Sequence, residues 1–164
     1  MKTEKRWVVA FLLITMLAII SLFWTHTPAK ENETFIASSQ INFADVAWLL
    51  TASCLVLLMT PGLSYFYGGM VGKKNVISTM LKSFISLGVV GLLWVIVGFS
   101  LSFGSPIGFQ IDGKYYGIIG NPLDFMFFDK VEILPHKLLG SSIPFVLFAL
   151  FQMKFAVITP AIIT

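Results

Sequence analysis

Three long apolar runs dominate the chain, and polar segments separate them. They cover about residues 44–71, 83–103 and 143–164, and the middle run carries no charged side chain. An α-helix of about 20 residues crosses a bilayer core of roughly 30 Å. The apolar residues are continuous rather than alternating, which favours membrane helices over barrel strands. The pattern predicts an all-α polytopic membrane protein with three spanning helices.

A further apolar run precedes these three. Residues 1–6 are basic, residues 7–24 are apolar, and residues 25–34 are polar. This order is typical of a secretory signal peptide cleaved near Ala29, and equally of an uncleaved anchor helix over residues 1–29. Either alternative places residues 30–43 outside the cell, because the basic end stays in the cytoplasm.

The charges of the two later loops predict the same orientation. The loop after the first span contains Lys73 and Lys74, and Lys82 begins the next span. The loop over residues 104–142 carries three positive and four negative side chains. Short basic loops stay in the cytoplasm, so the longer loop belongs outside. Its alternation of aromatic residues with glycine, proline and carboxylates predicts an ordered cap over the helices.

Composition excludes several classes of protein. With 57% hydrophobic and 12% charged residues, the chain lies outside the range of soluble domains. The net charge of +3 comes from scattered side chains, so we expect no nucleic-acid partner. No nucleophile–base pair or metal-ligand cluster stands out, so we expect no enzyme, cofactor or metal site. The single Cys54 is interpreted as a packing residue.

The first span and its loop carry a specific motif. Residues 45–79 read DVAWLLTASCLVLLMTPGLSYFYGGMVGKKNVIST. The order resembles the first transmembrane helix and first cytoplasmic loop of the ammonium transporter family (Amt/Mep/Rh). The second span continues the resemblance with Leu93-Trp94-Val95 and with GFSLSFG over residues 98–104. The resemblance implies an Amt-type helical bundle and ammonium transport across a cell membrane.

Five residues of the first span are assigned structural roles. Asp45 is predicted to cap the first helix and to complement its dipole. Pro61 is expected to kink that helix, and Gly62 to admit a neighbouring helix. Gly68 and Gly69 belong to the aromatic–glycine patch that closes the span.

Close helix contact is also expected at three glycines of the second span, Gly88, Gly91 and Gly98. Trp94, in the same span, is interpreted as a buried packing residue.

The third span carries the residues nearest to transport chemistry. FVLFALFQMKFAVITPAIIT, over residues 145–164, is similar to the family's FxxFQxxFAxITPALI. Phe151 and Phe155 are four residues apart and therefore project from one helix face. The resemblance assigns Phe151 to an external vestibule that recruits ammonium and Phe155 to the gate beneath it. Gln152 is expected to support the pore wall.

The family's proton-handling residues are not found in the chain. It lacks an Asp-Phe-Ala-Gly signature, and its two histidines, His26 and His136, are both expected to be solvated. Because residue 164 lies inside an apolar run, we expect the N-terminal portion of a longer transporter. The resemblance implies a homotrimer and a possible regulatory partner of the PII type. An Amt-like sensor module and a non-conducting accessory subunit are the alternatives.

Lys154 departs from the family pattern. It lies about 14 Å into the third span and about 100° around the helix from Phe155. Three interpretations are open. The side chain faces away from the pore and pairs with a carboxylate or carbonyl of a later segment; it marks altered or lost conduction; or the residue is a sequence error.

Overall fold

Three long helices form the body of the protein. The computed structural model describes residues 34–111 and 114–163 and, before them, Leu12, Thr15 and Met16. Helix α1 spans Phe43–Met70, α2 spans Val76–Phe103 and α3 spans Phe145–Ile163, and each is long and apolar enough to cross a membrane. The predicted signal peptide or anchor helix lies almost entirely outside the described residues.

Helix α2 begins earlier than the hydrophobic run suggested. It begins at Val76 rather than near residue 83, so Lys82 lies within the helix and is exposed. Hydropathy marks only the uncharged part of a span, and a lysine near a helix end reaches water with its own side chain. Residues Val76–Leu93 are α-helical, Trp94–Gly98 form a π-helical turn, and Phe99–Phe103 return to α geometry.

The start of α1 corrects one prediction. The capping residue is Asn42, whose side-chain oxygen accepts a hydrogen bond from the backbone N–H of Ala44 at 2.9 Å. Asp45 instead lies exposed in the first turn, where its carboxylate complements the helix dipole. The hydrophobic pattern could not distinguish these two polar residues, which lie within one turn of each other.

A short hairpin and a long irregular segment cover one end of the bundle. Strands β1 (Pro106–Ile111) and β2 (Lys114–Gly120) pair antiparallel, with a register shift between Ile107 and Gly108. The cap segment, residues 121–144, then leads to α3. We call this end of the bundle, near residues 42, 103 and 145, the capped end. An ordered cap agrees with the sequence interpretation, whereas the hairpin adds a small sheet to the predicted all-α fold.

An aromatic core attaches the cap segment to the helices. Phe99 of α2 and Phe145 of α3 are both fully buried, with ring centroids 5.4 Å apart. Phe125 of the cap segment packs 5.7 Å from Phe99 and 5.3 Å from Phe145. Phe35 completes the cluster from the segment before α1. Offset and edge-to-face ring pairs of this kind stabilise a core beyond the area that they bury.

His136 belongs to this core, contrary to the prediction that it is solvated. Its side chain is only 6% exposed and stacks on Phe145 at 4.9 Å. Nδ1 accepts hydrogen bonds from the backbone N–H groups of Leu138 and Leu139. Burial lowers the pKa of His136 below its ordinary value of 6.5. The imidazole therefore has a structural role in its neutral form. His26 lies outside the described residues.

The close helix contacts predicted at Gly62, Gly88, Gly91 and Gly98 are not formed among the described residues, and α1 and α2 approach each other at Gly68 instead. A Cβ at Gly68 would lie 3.0 Å from the Met80 side chain, so α1 and α2 approach closely there. Among the described residues, Gly62, Gly69, Gly88 and Gly91 face open space. A Cβ at Gly98 would meet only Trp94 and Leu93 of its own helix.

The proline of the first span does not end its helix. Pro61 lies inside α1, which continues past it to Met70.

Candidate aromatic gate and its relatives

Phe151 and Phe155 meet on one face of α3. Their ring centroids are 5.1 Å apart with an interplanar angle of 74°, an edge-to-face pair. Phe155 is 44% exposed and Phe151 is half-buried. Edge-to-face geometry brings the positive ring edge of one phenyl to the negative face of the other. The side of Phe155 that the described chain leaves open can still receive a ligand or another helix.

The opposite face of α3 packs against α1 and α2. Its buried residues in the membrane-spanning part include Ala149 and Val157. At 100° per residue, they lie about 140° around the helix from the middle of the aromatic pair, one on each side. The buried Ile158 lies only about 20° from Phe151, so Phe155 is the ring that the described chain leaves open, whereas Phe151 is half-buried.

Two side chains of α2 bind backbone atoms on this buried face. The indole N–H of Trp94 donates to the carbonyl oxygen of Ala149 at 3.2 Å. The hydroxyl of Ser86 donates to the carbonyl oxygen of Val157 at 3.3 Å. Trp94 was expected to be a packing residue, and the hydrogen bond adds a polar contact to that role. Ser86 was not singled out, because a serine in an apolar run gives no signal of its acceptor.

Lys154 is turned back along its own helix. Its ammonium group donates to the carbonyl oxygen of Leu150 at 3.2 Å, one turn nearer the capped end. Among the described residues, the acceptor is thus a carbonyl of α3 itself. Gln152, on a neighbouring face, is half-buried.

Polar side chains also lie at the end of the bundle opposite the capped end. A cleft of about 200 Å³ opens there, with Tyr67, Thr79 and Ser83 among its lining residues. Tyr67 of α1 contributes to the wall of this cleft. Within residues 34–111 and 114–163, no group of three or more histidine, cysteine or acidic side chains could hold a metal ion.

Comparison with known proteins assigns the fold to a family. A sequence profile described as the Ammonium Transporter Family matches residues 47–164. The chain belongs to this family. It is 40% identical to the ammonium transporter of Bacillus subtilis over 125 residues, or 76% of the chain. It is 39% identical to the ammonium transporter Amt1 of Archaeoglobus fulgidus over 120 residues, or 73% of the chain.

A solved structure of the same family has the same fold. The crystal structure of Saccharomyces cerevisiae Mep2 matches with a TM-score of 0.64 and 30% identity over 84% of the chain. The match confirms the predicted Amt-type membrane fold. The chain spans only 30% of Mep2, 28% of the B. subtilis transporter and 26% of Amt1. The profile match over residues 47–164 includes nearly all of α1 and the whole of α2 and α3.

Proposed function

We propose that this chain forms part of a pathway that moves ammonium across a cell membrane. The observation that carries the proposal is the Phe151–Phe155 pair, in which the exposed Phe155 lies one turn beyond the half-buried Phe151 on α3. The capped end is assigned to the outside of the cell, on the loop charges described above. Phe151 then belongs to the outer vestibule, and Phe155 lies one turn deeper as the gate.

The chemistry of a small cation explains why aromatic rings serve here. A cation within about 6 Å of a ring face is attracted by the ring quadrupole, the more so where water is excluded. Moving that charge to the bilayer centre costs at least ~2.5–3.5 kcal/mol. Loss of the proton near Phe155 lets neutral ammonia enter an apolar pore. Helices beyond those described complete that pore and handle the proton, and Gln152 supports its wall.

Lys154 is assigned a position outside the conduction path. Its hydrogen bond to Leu150 turns the ammonium group back along α3, and Lys154 lies about 100° around the helix from the exposed Phe155. A fixed positive charge in the path would repel ammonium, and this orientation avoids that conflict. If Lys154 does alter conduction, replacing this lysine should change the rate of ammonium uptake.

The remaining features follow from the family. The full protein is proposed to be a multi-pass homotrimer of the plasma or inner membrane, with a PII-type protein as a regulatory partner. The leader over residues 1–29 is proposed to be cleaved, which leaves the mature N-terminus outside. The relatives are named transporters, which favours transport over a sensor module or an accessory subunit.

Uptake in a strain without its own ammonium transporters tests the proposal. Cells expressing the full coding sequence that contains this chain are expected to grow on low ammonium and to take up labelled methylammonium. Phe155→Ala should reduce uptake at least tenfold. The exposed Leu150→Ala change, on the same helix but off the aromatic pair, should reduce it less than twofold. Growth that is unchanged by Phe155→Ala, at equal protein abundance, would contradict the gate assignment.

A further inference from the structure

We propose that Trp94 and Ser86 are positioning residues, which hold α3 on the side opposite the Phe151–Phe155 pair. They form a two-point contact, defined as the hydrogen bonds Trp94–Ala149 and Ser86–Val157 between α2 and α3. This inference rests on the proposed gate role of the Phe151–Phe155 pair.

The spacing of the two bonds shows that they act as a unit. The donors are eight residues apart on α2, and the acceptors are eight residues apart on α3. The two helices run in opposite directions, so one antiparallel register satisfies both bonds. Eight residues correspond to about 12 Å along each helix. Two bonds at that separation oppose both sliding and tilting of α3 against α2.

The acceptors bracket the aromatic pair. Ala149 lies two residues before Phe151, and Val157 lies two residues after Phe155. Both acceptor residues are almost fully buried, at 0% and 4% exposure. Since they lie about 140° around α3 from the middle of the pair, one on each side, fixing them fixes the direction in which the rings point. A rotation of α3 that moved the rings would break both bonds.

A π-helical turn of α2 adjoins the indole of Trp94. The turn spans Trp94–Gly98, and the indole lies at its first residue. A π turn inserts an extra residue and so changes the direction of the side chains that follow, which is common at functional sites. Gly98 leaves room for the indole, because a Cβ there would lie 3.2 Å from Trp94 Cε3. The ring also packs on Phe99 at 5.9 Å, which anchors it to the aromatic core.

Hydrogen bonds are well suited to fix one helix against another inside a membrane. Apolar helices gain no hydrophobic free energy by leaving lipid for one another, so polar contacts and close packing set their registration. An indole N–H without an acceptor would be costly in hydrocarbon. Each acceptor carbonyl has a second lone pair beyond its helical hydrogen bond. The two bonds therefore form without breaking the helical bonds of α3.

The test uses variants that each remove one hydrogen-bond donor. Trp94→Phe keeps an aromatic ring without the N–H, and Ser86→Val removes the hydroxyl that Ser86→Thr restores. Ser102→Ala is the matched control on α2, since that hydroxyl bonds its own helix at Gly98. In the full-length protein, Trp94→Phe and Ser86→Val should each raise the half-saturating methylammonium concentration about threefold at unchanged membrane abundance. Ser86→Thr and Ser102→Ala should match the wild type.

A second measurement does not depend on transport. Hydrogen exchange in lipid nanodiscs should show faster exchange of amides 149–157 in Trp94→Phe and Ser86→Val, and unchanged exchange in Ser102→Ala. Unchanged exchange in both donor variants would overturn the two-point contact. Faster exchange with unchanged half-saturation would overturn its positioning role. If the wild type takes up no methylammonium while exchange responds as expected, the transport proposal fails and the contact between the helices stands.

Discussion

Ser100→Ala should weaken the attachment of the cap segment to α2. The hydroxyl of Ser100 is fully buried at the end of α2. It donates to the carbonyl oxygen of Asn121 at 2.7 Å and accepts from the backbone N–H of Phe125 at 2.9 Å. One oxygen thus connects α2 to the cap segment at two points. Alanine makes neither bond, because its methyl group has no hydrogen-bond donor or acceptor.

The magnitude follows from the two backbone groups left behind. A buried donor or acceptor without a partner costs about 1–3 kcal/mol. The Phe125 N–H lies beside the buried Phe125 ring, so water reaches it poorly, whereas Asn121 is half-buried and its carbonyl is solvated more easily. We expect a loss of about 2–4 kcal/mol in the free energy of unfolding, with most of it due to the Phe125 N–H.

Unfolding of the chain in mixed micelles with increasing SDS, followed by tryptophan fluorescence, measures this loss. Ser102→Ala is the matched control, because Ser102 is exposed and its hydroxyl bonds only Gly98 of the same helix. That change should cost less than about 0.5 kcal/mol, since alanine is a better helix former than serine. Equal unfolding free energies for Ser100→Ala and Ser102→Ala would refute the role assigned to the buried hydroxyl.

Three further predictions concern the capped end. Asn42→Ala should lower the unfolding free energy by about 1 kcal/mol, and Asp45→Ala by about 0.3–1 kcal/mol; the reverse order in SDS unfolding would restore Asp45 as the cap. Burial lowers the pKa of His136, so below pH 6.5 the unfolded chain binds more protons than the folded chain. Stability should therefore fall as the pH drops below 6.5. His136→Gln should flatten the fall between pH 7 and 5, and an unaltered pH profile would contradict the assignment. Gly108→Ala should disrupt the hairpin, since the added Cβ would lie 1.7 Å from the Tyr116 carbonyl oxygen. Slow amide exchange that persists in residues 106–120 of this variant would contradict the prediction.

The sequence was most informative where one property decides the structure. A continuous apolar run of sufficient length must be helical in lipid, so the three spans could be predicted without knowing their neighbours. Residue type was a poorer guide where a partner decides. His136 was predicted to be solvated because histidine is polar, yet Phe145 and two backbone N–H groups provide it with a buried site.

The pairing between helices was beyond prediction for a related reason. Ser86 finds its acceptor 71 positions further along the chain, and Trp94 finds its acceptor 55 positions further along. Such pairs depend on the antiparallel register of α2 and α3, which hydropathy does not encode. Lys154 illustrates the opposite case, since its acceptor lies only four residues away. A carbonyl one turn back is always present in a helix, and a lysine in an apolar span can use it.

The polar side chains of the spans explain how three helices with so much exposed apolar surface keep a defined arrangement. Only 11% of the apolar window of α1 or α2 is buried by other parts of the described chain. Ser64 of α1 donates to the Met80 carbonyl of α2, one turn from the close approach at Gly68. Together with the two bonds from α2 to α3, it relates all three helices through backbone acceptors. Because backbone positions move only with the whole helix, these bonds set helix registration rather than side-chain conformation. The direction of the Phe151–Phe155 pair therefore depends on contacts within residues 64–157.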